Sequence, residues 1–285
     1  MAFTVQAQQS KQYAQAFGRS VYDDILRWGD SEMLSRLCSN EKRAKEETYM
    51  DCLRRFYSSM KMHYRCEYVF KNEMIAELRK RYARGRSLIV NEFRVGNSIA
   101  DLAFFNGESH AYEIKTGYDT PRRLEGQLDD YRRVFDKCYL VVEQGDVDAW
   151  KGYDEGVGII AFCHGSRGKI TLKEIRPAKR NETIDVDILM TCLRAGEYEH
   201  IAEAYAGARL SAKKYKHFEE CKSILKRMDS LVLHKVFLET IEQRQSSFEL
   251  LSRVPRELYQ MCMSMHLKEK NLNVIIDSLN NKVEI

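Results

Sequence analysis

The chain has 285 residues, 44% of them hydrophobic and 31% charged, with a formal net charge of +4. This is long enough for one large or two smaller domains with a real buried core, and too apolar to be a disordered chain. So mild a charge permits a nucleic-acid partner without arguing for one. No run of eighteen apolar residues is present, so no membrane span is expected. The opening MAFTVQAQQSKQYAQAF lacks the apolar stretch of a secretory signal, which gives a cytoplasmic expectation. The eight cysteines form no CxxC pair and read as reduced thiols, most of them in the core. His217 with Cys221, and Cys262 with His266, have the i,i+4 spacing of two ligands on one helix face, but such pairs arise easily by chance and are read as core or surface rather than zinc sites.

In chain order, residues 10–85 carry apolar residues at spacings of three and four and are expected to be helical. From 87 to 176 the period changes. SLIVNEFRV, SIADLAFF, SHAYEIKT, KCYLVVE, GVGIIAFC and KITLKEI are short runs rich in β-branched and aromatic residues, each a strand candidate. One strong helix, PRRLEGQLDDYRRVFDK, interrupts them, with Pro121 suited to its first turn. DVDAWKGYD is a second, shorter candidate. After RPAKRNET the helical period returns and holds to the end, and the scarcity of proline, three residues in all, favours unbroken helices there. The expected organisation is a helical arm over 1–62, a compact α/β core over 63–180 and a helical region over 181–285.

The chemistry is concentrated in the hairpin SIADLAFFNGESHAYEIKTG. A two-residue loop at Asn106-Gly107 would pair Asp101 with Tyr112 and send Glu113 to the opposite face. A three-residue loop, Asn106-Gly107-Glu108, pairs Asp101 with Glu113 directly. The apolar pattern favours the second: Leu102, Phe104, Tyr112 and Ile114 then share one face, and Asp101, Ala103, Glu113 and Lys115 the other. Two carboxylates facing each other on paired strands repel. A hard divalent cation removes the conflict, since Mg²⁺ binds through one or two carboxylates plus water and phosphate oxygens. Lys115 on the same face could act on an attacking water or on developing phosphorane charge. Taken alone, the hairpin is read equally well as a solvent-exposed face of surface ion pairs.

The following helix adds to this. Arg123, Gln127 and Tyr131 stand one turn apart on one face, a cation, an amide and a phenol that suit a phosphate backbone or a base edge. Tyr131 alone would also serve as a packed aromatic. Leu124, Leu128, Val134 and Phe135 supply the core side.

Taken together, Asp101, Glu113-Ile114-Lys115 and Gln127-x-x-x-Tyr131 resemble the PD-(D/E)XK nuclease superfamily, in particular its RecB-like branch. Residues 63–200 look more narrowly like a family of stand-alone bacterial nuclease-like proteins, in which E-I-K-x-x-x-D-T-x-x-R-L-x-x-Q recurs; Glu113 to Gln127 fits that pattern. The resemblance implies a restriction-endonuclease-like mixed β-sheet core flanked by helices, with helical extensions at both ends. It implies hydrolysis of DNA phosphodiester bonds with Mg²⁺, or Mn²⁺ in its place, and suggests defence against foreign DNA as a setting. It puts Asp101, Glu113 and Ile114 on the metal, Lys115 at the water, and Gln127, Tyr131 and Arg123 near substrate, with Asp119 as local support. Ala100 stands where the superfamily usually has Pro, a departure the RecB-like branch tolerates.

Most members of that branch also carry a Glu on the helix before the first strand. CEYVFKNEMIAELRKRY offers Glu67, Glu73 and Glu77. At ~100° per residue, Glu67 falls in line with the stripe Phe70, Met74 and Leu78, Glu77 at its edge and Glu73 away from it. Glu67 is therefore the candidate and Glu77 the reserve, although an acid in a first helical turn also suits the helix dipole. The competing reading is a non-catalytic nucleic-acid- or protein-binding module that keeps this fold. It would dock a partner protein through its helical regions, with MCMSMH as an exposed methionine surface.

Overall fold

The computed structural model describes residues 5–40, 46–82, 87–116, 123–165, 168–210, 213, 216–244 and 247–283. Five helices come first: α1 (Val5–Tyr13), α2 (Arg19–Trp28), α3 (Glu32–Ser39), α4 (Tyr49–His63) and α5 (Glu67–Arg81). Strands β1 (Leu88–Val95), β2 (Ser98–Phe105) and β3 (Ser109–Lys115) lead to α6 (Leu124–Arg132), β4 (Lys137–Glu143), the short α7 (Val147–Lys151), β5 (Gly158–His164) and β6 (Ile170–Arg176). The rest is helical: α8 (Val186–Cys192), α9 (Ala195–Ala206), α10 (His217–Leu225), α11 (Ser230–Glu242), α12 (Ser247–Leu251), α13 (Tyr259–Ser264) and α14 (Glu269–Leu279). The fold is thus mixed α/β, a six-stranded sheet in the order β1-β2-β3-β4-β5-β6 accompanied by helices. β1, β2 and β3 are antiparallel neighbours, and β3 pairs with β4 in parallel, so the sheet is mixed. All six expected strands and both expected internal helices are present. Pro121 lies outside the described residues.

The chain divides into two compact units that interleave in sequence, where three consecutive blocks were expected. Unit 1 comprises Met1–Ala83, Phe162–Leu172 and Phe248–Ile285, and unit 2 comprises Arg84–Ala161 and Lys173–Ser247. In unit 1, Tyr13 stacks on Phe56 at 4.2 Å between ring centres, and Phe70 packs on Phe162 at 4.3 Å. The end of the chain returns to the start of α4, where Val283 N–H donates to the Glu47 carbonyl at 3.0 Å beside the Thr48–Lys282 bridge. Met261, Cys262 and Met263 are buried. These three, which the binding-module reading would use as a docking surface, are core instead, because one face of so short a helix covers α5.

Unit 2 is organised around both faces of β1–β4. On one face Phe105 meets Phe93, Phe135 and Phe237 at 5.4–6.1 Å, with Leu124, Leu128 and Val134 fully buried. On the other, Tyr112 stacks on Tyr139 at 5.5 Å beside His110. Gly158 admits no side chain, since a Cβ there would come within 2.4 Å of the Tyr139 ring. Covering both faces explains why β2, β3 and β4 are nearly continuous buried runs.

Helix α5 does not follow the stripe drawn from its sequence. Residues 69 through 75 are all buried, so nearly the whole circumference is covered. Glu67 is 61% exposed and pairs with Lys71 at 2.6 Å, and Glu77 pairs with Arg81 at 2.8 Å. The buried acid is Glu73, which accepts from the Tyr57 hydroxyl at 2.8 Å and from Arg256 at 2.7 Å. Its neighbour Asn72 donates to the Arg256 carbonyl and accepts from Gln260 N–H, both at 2.9 Å. A helix capped by partners nearly two hundred residues away has no single apolar face for periodicity to find. Glu67 therefore loses the argument from burial that selected it.

Candidate functional site

The hairpin register decides the site. Phe105 pairs with Ser109, Phe104 with His110, Ala103 with Ala111 and Leu102 with Tyr112. Asn106, Gly107 and Glu108 thus form a three-residue loop, with Gly107 left-handed at φ 69°. Its N–H donates to the Glu242 carboxylate at 2.7 Å, which ties the turn to α11. The ladder ends at Leu102–Tyr112, and carrying it one residue further on each strand leads to Asp101 and Glu113, the pair the loop reading expects.

Asp101 also marks a break in the sheet. β1 and β2 pair from Leu88–Phe105 to Val95–Ser98 with one gap, at Glu92, the residue that would face Asp101. Glu92 takes a left-handed φ of 55°, rare for a residue with a side chain and more so inside a strand. On its other side, Asp101 Oδ2 accepts the backbone N–H of Ile114 at 2.8 Å, so a side chain takes over a ladder position. Asp101 and Ile114 are thereby held side by side by a direct bond.

Glu113 is the buried member of the pair, only 3% exposed. Its Oε1 accepts from Lys115 Nζ at 2.7 Å, and its Oε2 lies 2.8 Å from the Tyr131 hydroxyl. Burial pushes its carboxyl above the ordinary glutamate range, the negative charge of Asp101 pushes further in the same direction, and Lys115 and Tyr131 hold it back. The site therefore stores like-charge repulsion inside a sheet, with one lysine as partial compensation.

Helix α6 supplies the lid of this cluster. Asp130 accepts from the Ser98 hydroxyl at 2.7 Å and from Asn97 N–H at 3.2 Å, which anchors the helix on the β1–β2 turn. From there Gln127 Oε1 accepts from Lys115 Nζ at 3.2 Å, so the lysine is shared between Glu113 and Gln127. Tyr131, expected beside substrate, is wholly buried. Its hydroxyl also lies 2.8 Å from the Ile99 carbonyl, and its one proton serves either that oxygen or Glu113. Burial, then the nearby Glu113 charge, push its own phenol far up, so it stays protonated. Arg123 stands exposed at the start of the helix. Asp119 lies outside the described residues. The roles of Tyr131 and Asp130 had a sequence signal only in part: the i,i+4 spacing put Tyr131 on the face of Gln127, but nothing announced the Asp130 anchor.

Among the described residues no group of three or more His, Cys, Asp or Glu is placed to hold a metal ion. Asp101 and Glu113 are two carboxylates, a donor set that fits Mg²⁺, which completes its octahedron with water and phosphate oxygens, better than zinc. No helix of the described residues is long and apolar enough to cross a membrane.

One solved structure, the SPO1766 protein of unknown function from Silicibacter pomeroyi, aligns with 47% of this chain and 87% of its own at 13% identity and a TM-score of 0.33. Protein cII of Enterobacteria phage P4 is 27% identical over 142 residues, 49% of this chain and 50% of the relative. The chain thus spans about half the length of the curated relative it matches. A family model, Bacteriophage P4 protein cII, matches residues 60–264, a span that takes in the sheet, the facing carboxylates and α6; the chain belongs to that family.

Proposed function

We propose that this protein is a metal-dependent nuclease of the PD-(D/E)XK type, with a restriction-endonuclease-like core, that hydrolyses phosphodiester bonds of DNA. The observation that carries this reading is the closeness of Asp101 to the buried Glu113, whose carboxyl its charge pushes up, with Lys115 bonded to the buried member. A fold selected for stability alone would not set two carboxylates against each other inside a sheet.

Asp101, Glu113 and the backbone of Ile114 are the groups that would hold Mg²⁺, and the ion would polarise a phosphoryl oxygen and acidify a bound water. The chain's own part is preorganisation. The Ile114 N–H fixes one oxygen of Asp101, and Tyr131 and Lys115 fix both oxygens of Glu113. Lys115 keeps a positive charge next to the reacting phosphate, where it orients water or offsets the charge that grows on the phosphoryl oxygens. In the overall step the water oxygen bonds to phosphorus as the phosphorus–oxygen bond to the leaving sugar breaks. The water gives up a proton and the leaving oxygen takes one, so a phosphomonoester and an alcohol result. Gln127 holds the lysine, and Arg123 is a cation available to the strand. Defence against foreign DNA is a setting this activity would serve. The competing reading, a binding module, would use the methionine run as its docking surface, and the first three residues of that run, Met261, Cys262 and Met263, are buried.

The test is cleavage of linear, nicked and single-stranded DNA with Mg²⁺ or Mn²⁺. Activity is expected in the wild type and absent in Asp101→Asn and Glu113→Gln. Lys115→Ala should lower the single-turnover rate far more than the affinity. Retained cleavage in either carboxylate variant, or equal affinity losses with no rate to measure, would reject the enzyme.

A further inference from the structure

A second feature lies wholly within unit 1. A groove of about 920 Å³ is lined by residues of α4, α5, the start of β6 and the segment from α12 to α13, among them Lys61, Arg79, Lys80, Lys169, Arg256 and Tyr259. It is also lined by Glu73, Glu77 and Glu249, so its character depends on which charges are already paired. Arg256 is committed to Glu73 at 2.7 Å, with Lys61 4.0 Å from the same carboxylate, and Glu77 is taken by Arg81. Arg79 instead donates to the neutral Tyr259 hydroxyl at 2.6 Å and lies 5.4 Å from that ring's centre, so it is held in place with its charge uncancelled. Lys80 and Lys169 are exposed and have no acid partner among the described residues. Among the described residues three cations, Arg79 and Lys80 on α5 and Lys169 just before β6, are thus left over, against one acid with no cationic partner, Glu249.

We propose that this groove binds the phosphodiester backbone of nucleic acid, independently of the hydrolytic site. A groove of this volume is far larger than one phosphate needs and suits several successive groups along a strand. Cations displayed beside a fixed aromatic ring are the combination that tracks a sugar-phosphate backbone. The buried Glu73 acts as the anchor that holds Arg256 at the wall, since its oxygens are bonded by Tyr57 and Arg256, with Lys61 4.0 Å away.

The experiment uses the full chain carrying Asp101→Asn, so that turnover does not interfere, with and without Lys80→Ala and Lys169→Ala together. Affinity for a labelled DNA duplex is measured by fluorescence anisotropy across a range of salt. Each lost phosphate contact should flatten the plot of log affinity against log salt by about 0.9. The double variant should therefore bind several-fold more weakly at low salt with a slope shallower by roughly 1.8. Arginine at both positions should retain the wild-type slope. An unchanged slope overturns the proposal, and so does a loss that arginine fails to restore. Polyglutamate of matched charge that displaces DNA as well as unlabelled DNA does would overturn it in favour of an acidic protein partner. The two readings fail separately: a shallower slope in the double variant, beside a wild type (Asp101 intact) with no detectable cleavage, would sustain the groove and reject the nuclease, and wild-type cleavage with an unchanged slope would do the reverse.

Discussion

Asp101 and Glu113 look equivalent in the sequence, and from the sequence alone both neutral variants should relieve repulsion and leave the fold as stable or more so. Their surroundings separate them. Asp101 repels Glu113 and accepts one backbone bond that an asparagine oxygen can also accept, so Asp101→Asn should cost no stability in the metal-free protein. Glu113→Gln removes the charge beside a lysine only 8% exposed and leaves that lysine bonded to Gln127. Because the carboxyl is raised even with that lysine beside it, the neutral side chain is the one the fold favours, and Glu113→Gln should be at least as stable as the wild type above the ordinary carboxyl range. The pH dependence has a definite sign. Because the folded carboxyl of Glu113 is raised above its ordinary value of 4.5, the unfolded chain loses this proton first as pH rises. Glu113 then contributes nothing to stability below that ordinary value and a growing penalty through the window above it. Melting curves in chelator should show this penalty in the wild type, its absence in Glu113→Gln, and its reversal by Mg²⁺ through mass action. A wild type that gained stability from Glu113 ionisation across that window would mean the pair is structural.

At the scale of elements, the strands and the register were legible because β-rich runs end at strong turns and a period of two admits only one assignment of faces. Gly107 is the pivot of that assignment. Gly107→Ala should cost about 1 kcal/mol, because the loop needs a left-handed residue there. Glu92 is the opposite case, a side chain in a conformation glycine prefers. Glu92→Gly should stabilise by up to about 1 kcal/mol if that conformation is merely strained. Urea titrations of both variants measure this, and a clear destabilisation by Glu92→Gly would show that its side chain holds the break in the ladder. Helix α6 was legible as a helix, and Gln127 and Tyr131 as sharing the face that meets Lys115 and Glu113. The direction of Tyr131's bond was not, because a phenol that reads as a substrate contact and one that reads as a buried donor have the same spacing. Tyr131→Phe should leave Glu113 and the Ile99 carbonyl competing for no donor, cost about 1 kcal/mol, and raise the Glu113 pKa further. The acid limb of the cleavage profile should then move to higher pH, which simple loosening of the helix would not produce.

At the scale of the whole molecule, sequence period says where helices are but not which of them belong together. Glu67 was chosen on the assumption that α5 has one buried side, and the partners that bury its other sides lie in the last forty residues. Tyr68 donates to the Glu257 carbonyl at 2.7 Å, Asn72 accepts from Gln260 N–H, and Arg256 neutralises Glu73. Ser278 also bonds to the Gly29 carbonyl at 2.8 Å, so the chain's end is tied to α2 as well. Unit 1 is therefore built from both ends of the chain, and its stability should not survive loss of one. Deleting residues 248–285 strips the groove of Arg256 and Tyr259, leaves Glu73 buried without its arginine, and exposes the side chains that Met261, Cys262 and Met263 cover. A buried carboxylate left with only Lys61 at 4.0 Å as its cation, together with the lost core, exceeds the few kcal/mol by which domains of this size are stable. Circular dichroism of the truncated chain should lose more helical signal than the deleted helices themselves carry, with α1–α5 melting out. A loss limited to the deleted helices, with a cooperative transition retained in the rest, would show that α1–α5 fold without the chain's end.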